Sequence, residues 1–222
     1  MKSTLEQALA RIAAEFSPVT LASSLSVEDM LLTDAIAHAG LPIGVFVLDT
    51  GRLHADTLDL IREIRSRYGV QVQIFAPDAD AVAEYVGAHG RDAFYGSPEL
   101  RKRCCHIRKV APLARALRGK RAWITGQRRE HSQERAQLGE REHDAVHGIE
   151  KFNPLAAWSE ADVWNYVRAR RVPYNRLYDQ GYRSIGCAPC TRPVLPGEDL
   201  RAGRWWWEIS TPAECGLHRN AA

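Results

Sequence analysis

The sequence predicts an α/β protein with a parallel sheet flanked by helices. Three observations carry this. Short β-rich apolar runs alternate with stretches of helical periodicity, the pattern of βαβ units. Ile43-Gly44-Val45-Phe46-Val47-Leu48 is apolar throughout, as a central parallel strand buried on both faces requires. Polar turns rich in Ser, Gly, Asp or Arg follow the carboxyl ends of the strands, where ligands bind in open α/β sheets.

The elements follow in order. Leu5, Leu9, Ile12, Ala13 and Phe16 recur at helical spacing, and Pro18 ends that helix. Val19–Ala22 reads as a short buried strand running into Ser23-Ser24-Leu25-Ser26-Val27-Glu28-Asp29. Ser26 followed by Asp29 is a capping signal for a helix through Met30, Ala35 and Ala39, which Gly40 and Pro42 end. A serine-rich turn at a helix N-terminus suits an anion or nucleotide, and equally a simple cap. After the Ile43–Leu48 strand comes Asp49-Thr50-Gly51-Arg52, then a helix over Ala55–Tyr68, a third strand over Val70–Phe75 and a helix over Ala79–His89. Gly90–Arg101 reads as loop. A helix is predicted from near Cys104 through Val110, Leu113 and Leu117, with Pro112 predicting a kink or a short preceding segment. Ala122–Thr125 is the next strand, leading into the basic loop Gly126-Gln127-Arg128-Arg129-Glu130-His131-Ser132. Ala145–Phe152 reads as a strand weakened by His147, Gly148 and Lys151, and Ser159 with Asp162 caps a helix through Val163, Trp164 and Val167. After Pro173 the chain is loop-rich.

Composition sets bounds on function. A 222-residue chain with 45% hydrophobic and 26% charged residues is globular and long enough for a sizeable core. A net charge of +3 gives no case for nucleic acid. No apolar run approaches the roughly 20 residues of a membrane span, and the N-terminus lacks a signal-peptide core. The expected location is therefore cytoplasmic, where patterned cysteines point to metal or catalysis rather than disulfides. Among 30 basic residues only Lys2, Lys102, Lys109, Lys120 and Lys151 are lysine. Arginine suits bidentate recognition of phosphate-like anions, although genome composition explains the bias equally well.

Four of the five cysteines fall in two clusters, Cys104-Cys105 and Cys187-Ala188-Pro189-Cys190. A C-x-x-C alone fits zinc, iron–sulfur or a redox pair. Adjacent helical cysteines point about 100° apart, awkward for one tetrahedral ion and easier on a cuboidal cluster. A [4Fe–4S] cluster, a structural zinc site and unrelated core cysteines all remain open at this level. Lys102, Arg103, Arg108 and Lys109 would offset an anionic cluster or hold an anionic substrate, or form a solvated helix face. Cys215 stands apart beside Gly216 and His218, after the basic, aromatic stretch Arg201–Trp207. A nearby cation would raise its thiolate fraction. Incidental placement is the competing reading.

The set as a whole is recognisable. SSLSVED from Ser23, LDTG from Leu48, KRCCHIRK from Lys102, TGQRR from Thr125, GCAPC from Gly186, RAGRWWWE from Arg201 and ECGLH from Glu214 span nearly the whole chain. In this order they resemble the assimilatory adenylyl-sulfate (APS) reductases, the iron–sulfur branch of the phosphosulfate reductase family. The resemblance implies an adenine nucleotide α-hydrolase-like sheet. It implies that Ser23, Ser24, Ser26 and Asp29, then Leu48, Asp49, Thr50 and Gly51, and the loop of Gly126, Gln127, Arg128 and Arg129 surround the nucleotide. Cys104, Cys105, Cys187 and Cys190 would ligate a [4Fe–4S] cluster; Lys109, Arg201, Arg204 and His218 would hold the phosphosulfate; Cys215 would be the nucleophile.

By the same resemblance, residues 1–200 form the nucleotide and cluster domain, and residues 201–222 a substrate-clamping tail with a catalytic Cys. The implied reaction is thioredoxin-dependent reduction of APS to sulfite and AMP through a cysteine S-sulfo intermediate. The 3′-phosphorylated nucleotide, PAPS, is the alternative substrate, and a homo-oligomer is compatible with the sequence. SSLSVED departs from the SGGxDS loop of pyrophosphate-cleaving relatives, which argues against an ATP-consuming ligase or thiolase.

Overall fold

The computed structural model describes residues 5–208. The first half alternates as the sequence predicts: α1 (Leu5–Phe16), β1 (Val19–Ser23), α2 (Val27–His38), β2 (Ile43–Leu48), α3 (Ala55–Tyr68), β3 (Val72–Phe75) and α4 (Ala79–His89). α1 forms because Leu5, Leu9, Ile12 and Ala13 share one buried face. α2 is different: every residue from Val27 to Ile36 is buried, including Glu28, Asp29, Thr33 and Asp34. It lies in the core, packed against α1, α3 and α7 (Glu160–Arg170). α3 ends at Gly69 in the left-handed conformation (φ +66°), which glycine adopts without steric cost.

The second half carries α5 (Pro98–Cys105), α6 (Ala111–Leu117), β4 (Ala122–Ile124), β5 (Arg141–Asp144), β6 (Ile149–Phe152) and α7. The six strands lie in the order β3-β2-β1-β4-β6-β5; all neighbours are parallel except the β5–β6 hairpin at one edge. Strand alternation separates two cores. Leu21, Val45, Val47 and Ile124 join α1, α2, α3 and α7 on one face; Phe46 and Trp123 join Leu113, Ala116 and Leu117 of α6 on the other. Chain order reverses at β1: β2 and β3 lie to one side, β4 and β6 to the other. The gap between the carboxyl ends of β1 and β4 is therefore a topological switch point.

Four expectations need correction. The helix before the first cysteine pair starts at Pro98, with Ser97 accepting from the Leu100 N–H, so Pro98–Arg101 is not loop. Pro at the first helical turn costs nothing and was the missed signal. The kink ascribed to Pro112 is a π-helical turn over His106–Val110, closed by the Ala111 N–H on the His106 carbonyl. Proline brings no N–H and crowds the carbonyl four residues back, and the wider turn absorbs both. Ala145–Gly148 is the turn of a hairpin rather than strand, held by the Asp144 carboxylate accepting from the Val146 and His147 N–H groups. Its first strand, β5, has no apolar alternation and was not legible. The third strand is shorter than Val70–Phe75, because it pairs with β2 only from Val72 and leaves Ile74 exposed.

Candidate active site

The cleft at the switch point has a cavity volume of about 230 Å³. One wall comes from the turn after β1, where the buried Asp29 carboxylate acts as a hub. It accepts from the Ser24 N–H and hydroxyl, both at 2.7 Å, and from the Gly126 N–H at 3.1 Å. Burial pushes the Asp29 carboxyl above its usual range, against those hydrogen bonds. The hub requires glycine at 126: a Cβ there would stand 2.5 Å from Asp29 Oδ1 and 2.8 Å from Glu28 Cβ. Ser26 caps α2 on the Asp29 N–H. Glu28, buried next to it, accepts from Arg128 Nε at 3.0 Å and contacts His131 Nε2 at 2.9 Å. Burial alone would raise its pKa, but His131 and Arg128 outweigh it and hold Glu28 at about 2. Tyr178 closes this corner by accepting from the Val27 N–H.

The opposite wall rises from β4. Thr125 donates to Asn153 Oδ1 at 2.6 Å and accepts from the Gln127 N–H. Gln127 is buried, and its Oε1 has no partner among the described residues, so an acceptor is available to a bound group. Lys109, Arg201, Arg204 and Trp205 line the remaining side.

A second, smaller cavity adjoins the first. Cys104, Cys105, Cys187 and Cys190 all line it, with Arg52, Arg101, Arg108, Lys109 and Arg204 as cations and Phe94 and Trp205 as apolar cover. Among the described residues these four cysteines form no disulfide, and three of them are buried. Their environments differ. Burial raises the Cys187 thiol, but Lys109, the Thr50 hydroxyl, Arg204 and Arg108 reverse the sign, and its pKa falls below normal. Burial and the neighbouring Cys187 push Cys190 up to about 12, and burial raises Cys104. Among the described residues, no group of three or more His, Cys, Asp or Glu is drawn together so as to hold a metal ion.

The structure thus brings Ser23, Ser24, Ser26, Asp29, Leu48, Thr50, Lys109, Gly126, Gln127, Arg128, Arg201 and Arg204 to one cleft. Arg128 lies there fully committed, bonded to Glu28, to Glu130 at 2.9 Å and to the Trp158 carbonyl. Asp49, Gly51 and Arg129 stand off the lining. Asp49 caps the Gly51 N–H, and Arg129 donates to the Leu138 carbonyl. Cys215 and His218 lie outside the described residues. Sequence reasoning gave no site role to Arg101 or Tyr178, and it covered Glu28 and Trp205 only as members of the Ser23–Asp29 and Arg201–Trp207 stretches. Tyr178 sits 151 residues from its partner Val27, a separation no local pattern reports.

Comparison with known proteins agrees with this architecture. Residues 18–193 match the phosphoadenosine phosphosulfate reductase domain family. An adenosine 5′-phosphosulfate reductase of Burkholderia cepacia is 59% identical over 96% of this chain and 86% of its own. Proteins of the same name from Allochromatium vinosum and Neisseria meningitidis are 53% and 54% identical, over 96% and 97% of this chain and 83% and 89% of their own. Among solved structures, the phosphoadenylyl-sulfate reductase of Candida auris, a phosphate complex, superposes with a TM-score of 0.74 at 28% identity, covering 85% of this chain and 90% of that one. Candida glabrata FMN adenylyltransferase, at 15% identity and a TM-score of 0.55 over 85% of this chain and 63% of its own, shares the fold alone. The chain belongs to the phosphoadenosine phosphosulfate reductase family.

Proposed function

We propose that the protein reduces adenosine 5′-phosphosulfate to sulfite and AMP, as part of sulfate assimilation and cysteine biosynthesis. The observation that carries this reading is the junction of the two cavities. Lys109, Arg204 and Trp205 line both the nucleotide cleft and the four-cysteine cavity, so cationic groups lie between them. Names borne by relatives above 50% identity point the same way.

In this reading the adenosine occupies the cleft between the Ser23–Asp29 turn and the Gly126–Arg129 loop. Lys109, Arg201, Arg204 and His218 hold the phosphosulfate. The Cys215 thiolate attacks sulfur; the S–O bond to AMP breaks, and Cys215 carries an S-sulfo group. Cationic side chains stabilise charge developing on the departing phosphate. A thiolate of reduced thioredoxin then attacks Cys215 Sγ and expels sulfite. The second thioredoxin thiol resolves the mixed disulfide, so the dithiol supplies both electrons. Residues 1–200 form the nucleotide and cluster unit, and residues 201–222 the clamping tail.

The four cysteines fit a [4Fe–4S] cluster by the chemistry of the donor set: four thiols outside any disulfide on one cavity, surrounded by cations that would offset a dianion. A cuboidal cluster takes one thiolate at each of four corners and does not need the sulfurs gathered on one point. When bound, it supplies an ordered, charged wall to the active site. Cysteines outside disulfides also agree with a cytoplasmic location. No helix of the described residues is long and apolar enough to cross a membrane.

The test is anaerobic purification followed by iron and sulfide analysis and APS-dependent sulfite release with reduced thioredoxin. Cys215→Ser is expected to bind APS and form no covalent adduct. A colourless, iron-free and fully active preparation would remove the cluster; an adduct elsewhere would remove the nucleophile. PAPS is the second reading, favoured by the structural likeness to a PAPS reductase at 28% identity. Comparing kcat/KM for the two nucleotides decides between them.

A further inference from the structure

Arg101 and Glu208 form a buried bidentate ion pair. Arg101 Nε donates to Glu208 Oε1 at 2.5 Å and Nη2 to Oε2 at 3.0 Å, and the side chains are 1% and 6% exposed. The pair joins α5, one turn before the cysteine pair, to the last residue of the RAGRWWWE segment. Two parallel N–H···O bonds fix orientation as well as distance.

A stack continues from this pair. The Arg101 guanidinium lies 4.5 Å from the Trp205 ring centroid, and the Arg204 guanidinium 4.6 Å from the same ring. Trp205 is 2% exposed and has a positive φ of 46°, a conformation that persists only where the surroundings enforce it. Arg204 also rests on Gly186, where a Cβ would stand 2.5 Å from its Nη2. Gly186 and the Trp205 indole thus both bear on the position of the Arg204 guanidinium.

Taking as given the proposed role of Arg204 as a phosphosulfate ligand, we propose that Glu208 is a positioning residue: through Arg101 and the Trp205 ring it sets Arg204 at the junction of the two cavities. Arg101 lines only the four-cysteine cavity and Glu208 lines neither cavity, so neither side chain meets the nucleotide cleft directly.

The test measures equilibrium binding of APS and of AMP to the full-length, anaerobically purified protein, with iron content in parallel. Glu208→Ala is expected to weaken APS about tenfold and to leave AMP within about twofold, because AMP lacks the sulfate. Glu208→Gln keeps an acceptor for Arg101 Nε and is expected to restore most of the loss. In an Arg204→Ala background, Glu208→Ala should change APS affinity by less than about twofold. If Glu208→Ala does not fold, Glu208→Asp replaces it, keeping the charge and withdrawing the carboxylate by one methylene. Unchanged APS affinity overturns the proposal. So does a parallel fall in APS affinity, AMP affinity and iron content, which is packing alone. An equal cost in both backgrounds disproves the relay through Arg204 while leaving the proposed function standing. If Arg204→Ala alone binds APS normally, the phosphosulfate placement is wrong and the relay falls with it.

Discussion

The Thr50 hydroxyl lies 3.3 Å from Cys187 Sγ, joining the turn after β2 to a cysteine 137 residues away. Thr50 also accepts from the Arg52 N–H, while its carbonyl accepts from Arg108 Nη1 at 2.8 Å and the Arg52 carbonyl from the Ala188 N–H at 2.7 Å. The LDTG segment thus bridges the nucleotide cleft and both cysteine clusters.

Thr50→Val keeps the shape and removes the hydroxyl. A hydrogen bond to a sulfur ligand orients it and favours the thiolate. Loss of such a partner weakens metal retention by about 10–100-fold. With the proposed cluster bound, iron release to a chelator should accelerate accordingly, with the far-ultraviolet circular dichroism unchanged. Release at the parent rate would show that the contact has no part in holding the cluster.

Gly126→Ala places a methyl group 2.5 Å from Asp29 Oδ1 and 2.8 Å from Glu28 Cβ. Both neighbours are buried side chains at the start of α2, with little room to yield. The strand-end loop must lift away, breaking the Gly126 N–H to Asp29 bond. Overpacking of this kind costs about 1–3 kcal/mol. Nucleotide affinity should fall at least about tenfold, measurable by titration with AMP. Parent-like binding would show that the two loops need not meet.

Glu28 sets an acid limit on stability. Its folded pKa of about 2 lies below the ordinary 4.5. The depressed pKa means that its contribution is fully present above pH 4.5 and is lost as the pH falls from 4.5 towards 2. The contribution is on the order of 3 kcal/mol, since each pK unit corresponds to about 1.4 kcal/mol. Urea midpoints measured from pH 6 to pH 2.5 should fall more steeply in the parent than in Glu28→Gln. Gln should also be less stable at neutral pH, because Arg128 loses its buried partner. Parallel curves would be evidence against the Glu28–His131–Arg128 cluster as the acid-sensitive element.

Asp34 is wholly buried on α2 and gathers three elements: it accepts from Tyr68 at 3.0 Å on α3, and from Tyr166 at 2.9 Å and Arg170 at 2.6 Å on α7. Asp34→Ala removes the shared acceptor of a guanidinium and two hydroxyls that are themselves half-buried, at a cost of about 1–3 kcal/mol. None of these four residues lines the nucleotide cleft. The urea midpoint should therefore drop while AMP affinity of the folded fraction is retained. A coupled loss of affinity would show that the Asp34 contacts also set the part of the cleft wall that Glu160 and Trp164 of α7 provide.

Periodicity and turn chemistry in the sequence determined the α/β alternation, the caps at Ser26 and Ser159, and the interior, parallel place of Ile43–Leu48, second from one edge of the sheet. These signals are local, written in side-chain spacing along a few turns or one strand. The motifs also named twelve of the residues that line the cleft. What the sequence could not report were contacts between distant segments: Asp29 with Gly126, Thr50 with Cys187, Tyr178 with Val27, and Arg101 with Glu208. Helix geometry likewise yielded to context at His106–Val110, where a proline and the packing of two helices settled on a π turn. The division follows from physics. Local propensity depends on neighbours along the chain, whereas a buried polar group takes whichever partner the closed fold brings within hydrogen-bond reach.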